Sequence, residues 1–165
     1  MVDKQGQAAN KNGQWLEDQV ETIITDYGLA SILHSKINTR SGKKIVEQSE
    51  DGVLFKNVPF ISAYGTKSRS EFVLNLSGRG PIRIECKFQK VAGSVDEKLH
   101  YLVGNLYAFK EKEAIVVLEG DGARKEAKAY VKFAAKKAKN IVNKKIMVFT
   151  LNQFKSWANS VLAKN

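Results

Sequence analysis

The sequence predicts an α/β fold in which a mixed central sheet is flanked by helices. Three observations point there. Residues 71–76 and 82–89 alternate apolar and polar side chains with period two, the mark of strands with one buried face. Only Ser77-Gly-Arg-Gly-Pro81 separates them, short and glycine-rich enough to close an antiparallel hairpin. Ala114-Ile-Val-Val-Leu118 is a continuous apolar run, as expected of a buried central strand. Helical periodicity flanks these segments, and the order helix, strands, helix, strand, helix, strand, helix suits a layered sandwich.

Met1 to Asn10 is polar and is expected to form a flexible tail, with residues 11–165 as a single domain, natural for a chain of 165 residues. Asn12 suits the N-cap of a helix running to about Tyr27, with Leu16, Val20, Ile23, Ile24 and Tyr27 at the 3.6-residue period. Gly13 lies at the edge of that stripe, where a missing side chain lets a helix approach a sheet closely. Residues 28–70 are the least legible. Ile32-Leu-His34 and Lys43-Lys-Ile-Val46 are expected strands, and Val53-Leu-Phe with Val58-Pro-Phe-Ile reads equally as a loop or a strand pair.

In the hairpin, Phe72, Leu74 and Leu76 form one apolar face, and Ile82, Ile84, Cys86 and Phe88 another. Ser94 and Glu97 then form a capping box that opens a helix with Val95, Leu99, Leu102, Val103 and Leu106 inward. After the 114–118 strand, Asp121-Gly122 turns the chain into a helix ending near Asn140, with Ala127, Tyr130, Val131, Ala134 and Ala138 as its inner face. Lys145 to Thr150 reads as a strand. Asn152 is expected to cap a last helix with Phe154, Trp157, Val161 and Leu162 inward.

Composition narrows the function. Lys and Arg total 27 against 17 Asp and Glu, a net charge of +10. That balance favours polyanionic partners, nucleic acid first and an acidic membrane surface second. Nothing reads as a membrane span or signal peptide, so no membrane association is expected. A single cysteine excludes an internal disulfide and fits a reducing, cytoplasmic compartment. Cys86 lies on the apolar strand face, where packing outweighs a role as nucleophile. There is no Cys/His cluster for zinc, and His34 and His100 are isolated.

The chemistry sits on the other face of the second hairpin strand. Arg83, Glu85, Lys87 and Gln89 follow one another there at about 7 Å intervals. Hairpin pairing brings Glu71 to the same face and end as Glu85. Two carboxylates held together on rigid strands repel unless a cation lies between them, and a hard divalent ion with oxygen ligands such as Mg²⁺ does this well. Lys87 adds a charge for an attacking water or a substrate oxygen, which makes a hydrolytic site for a phosphodiester. A Glu-x-Lys triplet alone is commonplace on solvated strands. The upstream acid and the hairpin spacing are what distinguish this one from a surface ion pair.

Glu71, followed after a short hairpin by Glu85-Cys86-Lys87, resembles the PD-(D/E)xK nuclease superfamily, which includes many restriction enzymes, archaeal-type Holliday junction resolvases and phage nucleases. The Glu-x-Lys part matches fully. The family's Pro-Asp is Ser70-Glu71 here, a carboxylate one methylene longer. The resemblance implies a restriction endonuclease-like αβββαβ core over roughly residues 12–119, with an extension to the C-terminus. It implies a DNA endonuclease dependent on Mg²⁺ or Mn²⁺, of restriction, homing or junction-resolving type. Glu71, Glu85 and the backbone carbonyl of Cys86 would hold the metal, with Lys87 at the attacking water and Gln89 as a supporting or substrate contact. Glu17 resembles the first-helix glutamate that many members aim at the metal, and it also reads as a solvated carboxylate. DNA, duplex or branched, is the implied partner. A homodimer is an expectation for so small a nuclease, since cutting both strands takes two sites. The alternative is a nucleic-acid-binding module that does not cut.

Candidate phosphate contacts complete the reading. Lys67 and Arg69 lie in the polar, basic stretch leading into Glu71, which also reads as a surface loop. Ser94 and Lys98 sit at a helix start four residues past the active strand, where unpaired N–H groups attract phosphate, although capping explains Ser94 as well. Lys125, Lys128, Lys132, Lys136 and Lys139 form a stripe on the helix after Asp121-Gly122. It is either a phosphate-binding face or a solvated one.

Overall fold

The computed structural model describes residues 4–90 and 95–163. Five helices and six strands follow in the order α1 (Lys4–Thr25), β1 (Ala30–Leu33), α2 (Arg40–Gln48), β2 (Gly52–Ile61), β3 (Lys67–Leu76), β4 (Ile82–Phe88), α3 (Val95–Ala108), β5 (Glu113–Glu119), α4 (Lys125–Val142), β6 (Lys145–Phe149) and α5 (Leu151–Leu162). The strands lie in the sheet in sequence order. β2, β3 and β4 form an antiparallel meander, β1 adds in parallel to β2, and β5 and β6 add in parallel beyond β4. The sheet is therefore mixed, and helices cover both of its faces. With β1 and α2 set aside, α1-β2-β3-β4-α3-β5 is the αβββαβ order expected.

The two faces carry separate cores. Leu16, Val20 and Ile24 of α1 and Phe154, Ala158 and Leu162 of α5 pack onto Leu54, Phe72, Leu74, Ile82, Ile84, Cys86, Ile115 and Val117. Leu99, Leu102, Val103 and Leu106 of α3 and Ala127, Val131, Ala134 and Ala138 of α4 pack onto Ala114, Val116 and Leu118. β5 supplies alternate residues to both, which is why its sequence is continuously apolar. β4 gives apolar residues only to the first face, leaving Arg83, Glu85 and Lys87 on the second.

Several boundaries differ from the sequence reading. α1 begins at Lys4, so Asn12 is an interior residue and not its N-cap, and residues 4–10 are helical. Residues 1–3 lie outside the described residues. A Cβ on Gly13 would meet nothing within 4 Å, so no close approach to the sheet depends on it. Lys43-Lys-Ile-Val46 is helical, not a strand: the Thr39 side chain accepts from the Gly42 N–H and caps α2. The ambiguous 53–61 segment is one strand. Pro59 is tolerated because β1 pairs only with Val53 to Lys56, which leaves that edge of β2 without a strand partner at Pro59 among the described residues. Tyr130 is not inside but 36% exposed, stacked on His100. Thr150, not Asn152, caps α5, in a reciprocal capping box with Gln153. The Ser94–Glu97 cap and the inward packing of Val95 fall outside the described side chains, although α3 does begin at Val95.

Candidate active site

β3 and β4 pair from Phe72↔Ile84 to Leu74↔Ile82. Beyond Phe72 the two strands stop pairing, and by register Glu71 stands opposite Glu85. On the other side of β3, Glu71 faces Asn57, whose φ of 55° breaks the even run of β2. Cys86 turns its N–H into this opening and donates to Glu71 Oε2 at 3.2 Å. The N–H and C=O of one strand residue point to the same side, so the Cys86 carbonyl faces the opening too. The thiol stands out of the sheet on the face away from Glu85 and Lys87, in the core, where burial pushes its pKa up.

Three of the expected residues converge here. Lys87 Nζ lies 2.8 Å from Glu71 Oε1 and 3.4 Å from Glu85 Oε2. Burial pushes the Glu85 carboxyl up first and the neighbouring Glu71 charge second, to about 8. Glu71 goes the other way: burial pushes it up, but Lys87, the Glu85 carboxyl and the Cys86 N–H together hold it below the usual carboxylate range. Burial pulls the Lys87 ammonium down, and the two glutamates more than reverse it. The pair is thus driven apart, Glu71 toward the ionised form and Glu85 toward the protonated one, because like charges this close do not both ionise easily. Glu85 Oε1 is buried without a hydrogen-bond partner, one of two such side-chain atoms among the described residues. A buried carboxyl oxygen left so is costly unless a proton or a cation completes it.

Glu17 is half-buried on α1, two residues after Trp15, whose ring meets that of Phe88, the last residue of β4, edge-on at 5.8 Å. Burial and then the Glu71 charge raise its pKa, which places its carboxyl within electrostatic reach of the pair. It does not complete a three-acid cluster: among the described residues no three His, Cys, Asp or Glu side chains stand together as a ligand set. Two carboxylates and a carbonyl still fit Mg²⁺ or Mn²⁺, because Mg²⁺ keeps several waters and commonly takes only one or two carboxylates plus substrate phosphate.

The acids open into a cleft whose lining includes Ser68, Arg69, Lys98, Tyr101, Leu102 and Asn105. Arg69 and Lys98 are exposed, and both line this cleft. Lys67 lines an adjoining groove with Pro59 and Ile61. Gln89 lies past the end of β4, where its N–H donates to the Glu119 carbonyl and its own carbonyl accepts from Gly122. Gly120, at φ 89°, makes that crossing possible: a Cβ there would sit 2.1 Å from the Gln89 oxygen. Ser94 falls outside the described residues.

The lysine stripe is placed differently. Lys125, Lys132, Lys136 and Lys139 are exposed on α4, and Lys128 is half-buried with its ammonium on the Gly120 carbonyl. Tyr130 marks the side of α4 that faces α3, and at 100° per residue the stripe lies roughly 160° around the helix from it. α3 therefore stands between the stripe and the cleft.

Other residues that shape the site gave weaker signals in sequence. Arg83, read only as part of the polar row, is 1% exposed and grips Glu111 with two bonds of 2.8 and 2.7 Å, between the rings of Phe60 and Phe109. Asn105, a polar residue within the apolar stripe of α3, accepts from the Ala63 N–H and fixes the β2–β3 turn beside the cleft. Its position between Leu102 and Leu106 was the available clue. Ser70 is buried beside the acids, its hydroxyl on the Phe72 carbonyl.

A family model described as the PD-(D/E)XK nuclease superfamily domain matches residues 8–162. No curated protein matches the chain.

Proposed function

The chain belongs to the PD-(D/E)XK nuclease superfamily, and from that membership we propose that it is a divalent-metal-dependent DNA endonuclease. Nucleases of this superfamily generally use divalent metal ions, and a nuclease domain implies a nucleic-acid substrate. The observation that carries the fuller reading is the Glu71–Glu85–Lys87 cluster, with one buried oxygen of Glu85 left without a partner. Glu71, Glu85 and the Cys86 carbonyl would hold Mg²⁺ or Mn²⁺, and Glu17 would act on them through its charge. When bound, the ion supplies Lewis-acid polarisation of the phosphodiester and lowers the pKa of water. Lys87, beside both carboxylates, would orient the attacking water and offset negative charge building on the phosphate. Arg69 and Lys98 hold phosphates at the cleft. Among the described residues no helix is long and apolar enough to cross a membrane.

The test is nicking of supercoiled plasmid with Mg²⁺ or Mn²⁺ against EDTA, for the wild type and for Glu85→Gln. Metal-dependent nicking by the wild type alone is expected. A second reading has its own support: Lys87 already bridges the two carboxylates, as in a closed ion-pair site that binds DNA without cutting it. Binding with no nicking in either metal selects that reading.

A further inference from the structure

The turn between β2 and β3 carries an aromatic side chain that the fold does not use. Tyr64 is 78% exposed, the most exposed large apolar side chain among the described residues. Its backbone is nevertheless held firmly. Ser62 N–H donates to the Thr66 carbonyl and Gly65 N–H to the Ser62 carbonyl, both at 2.8 Å, while the buried Ser62 hydroxyl meets Thr66 Oγ1 at 2.8 Å. Ala63 N–H donates 2.9 Å to Asn105 Oδ1, which ties the turn to α3. Gly104 allows the contact, since a Cβ there would come within 3.2 Å of Ala63 Cβ. The Tyr64 ring lies 4.9 Å from the Tyr101 ring at 19°, a parallel stack. Tyr101 also lines the cleft that holds Glu71, Glu85 and Lys87. Lys98 is one turn from Tyr101, and Arg69 lies on the strand leaving the turn.

A flat aromatic pair, rigidly presented, with cations beside it and a phosphodiester site next door, has the chemistry that receives an unpaired base. Stacking accepts any base, because each has a π-face, while the neighbouring cations hold the backbone. A base inside a duplex is already stacked and has no face to offer. We infer that Tyr64, backed by Tyr101, is a stacking platform for an unpaired nucleobase, so that the protein selects nucleic acid with a single-stranded segment at the cleft over continuous duplex. This rests on the nuclease reading for the purpose of the site, but the binding it predicts does not need cleavage.

The experiment measures binding in EDTA by Glu85→Gln protein, alone and with Tyr64→Ala or Tyr64→Phe, to oligothymidylate carrying one 2-aminopurine and to a duplex of equal length. Tyr64→Ala should weaken the single strand roughly tenfold or more, leave duplex affinity unchanged, and abolish quenching of the 2-aminopurine. Tyr64→Phe should retain both affinity and quenching. Equal losses on both nucleic acids, no loss on the single strand, or a Phe variant as weak as Ala would each overturn the inference. Failure of the nuclease reading shows separately, as absence of metal-dependent nicking by the wild type.

Discussion

Lys87 Nζ and Glu71 Oε1 stand 2.8 Å apart across the place where β3 and β4 cease to pair. In this arrangement the lysine is the counter-ion of the acids, a part that the metal of the proposed function would take over. Lys87→Ala should therefore do two separable things. It should lower the melting temperature in EDTA and leave it close to wild type in saturating Mg²⁺. It should also reduce single-turnover cleavage by roughly a hundredfold or more, the usual loss when one stabilising contact to developing charge is removed, with DNA affinity kept. Undiminished cleavage would remove Lys87 from the chemistry.

Glu85 sets a pH dependence of definite sign. Its folded pKa of about 8 lies above the ordinary glutamate value, first through burial and then through Glu71. The stability it contributes is fully present below the unfolded value near about 4.3 and is lost as pH rises through 8. Metal-free protein should thus melt at progressively lower temperature between pH 5 and about 9. Glu85→Gln, fixed in the neutral form, should flatten that slope while abolishing cleavage. Calorimetry across pH in EDTA decides it, and a variant that slopes like the wild type would place the titration elsewhere.

Arg83 and Glu111 are both buried, and breaking such a pair from one side leaves a lone charge. Arg83→Met should cost about 3–5 kcal/mol in denaturant titrations. Burial pushes the Glu111 carboxyl up, but the Arg83 bonds outweigh it and hold it below the usual range. Its contribution is therefore present above the unfolded value and lost as pH falls through the lower folded one. In Arg83→Met that acid loss should shrink or reverse, because burial then acts on Glu111 against only a backbone hydrogen bond and the weaker Lys110 charge. An acid limb identical to the wild type would show that the pair is not the group titrating.

Lys98 lies at the cleft on the first turn of α3. Lys98→Met should keep its melting temperature and most DNA affinity but lose most single-turnover activity, since a cation there acts as charge develops on the phosphate. Cleavage at the wild-type rate would confine the lysine to the helix start.

The stripe on α4 makes a different prediction because α3 separates it from the cleft. If it neutralises about four phosphates, log affinity should fall against log salt with a slope of about −3.6 on duplex DNA. Replacing Lys132 and Lys136 with glutamine should flatten the slope by about 2 and leave single-turnover cleavage at saturation unchanged. A slope that does not move makes the stripe a solvated face.

The site was legible because its geometry is local. Glu71, Glu85 and Lys87 lie on two adjacent strands joined by five residues, and period-two alternation fixes which side chains share a face. The antiparallel hairpin and the apolar β5 were legible for the same reason. Residues 28–61 were harder, since short stretches such as Lys43 to Val46 fit either period, and only Thr39 as a cap decides for helix. The Arg83–Glu111 pair joins residues 28 apart in sequence, and the Tyr64–Tyr101 stack joins two elements through Asn105. Nothing periodic announces contacts of that range.

Arg83 also bears on how the chain reaches this structure. It sits two residues before Glu85 on the same face of β4, so the two are placed by one choice of strand pairing. A slip of one residue would turn Ile82, Ile84 and Cys86 toward α3 and drive Arg83 under α1, far from Glu111, with its charge stranded. The correct pairing is the one that seats the guanidinium between Phe60 and Phe109, and it brings Glu85 and Lys87 opposite Glu71 in the same act. The buried ion pair thereby works as a proofreading element for the strand, penalising compact but misaligned chains whose acids would never meet.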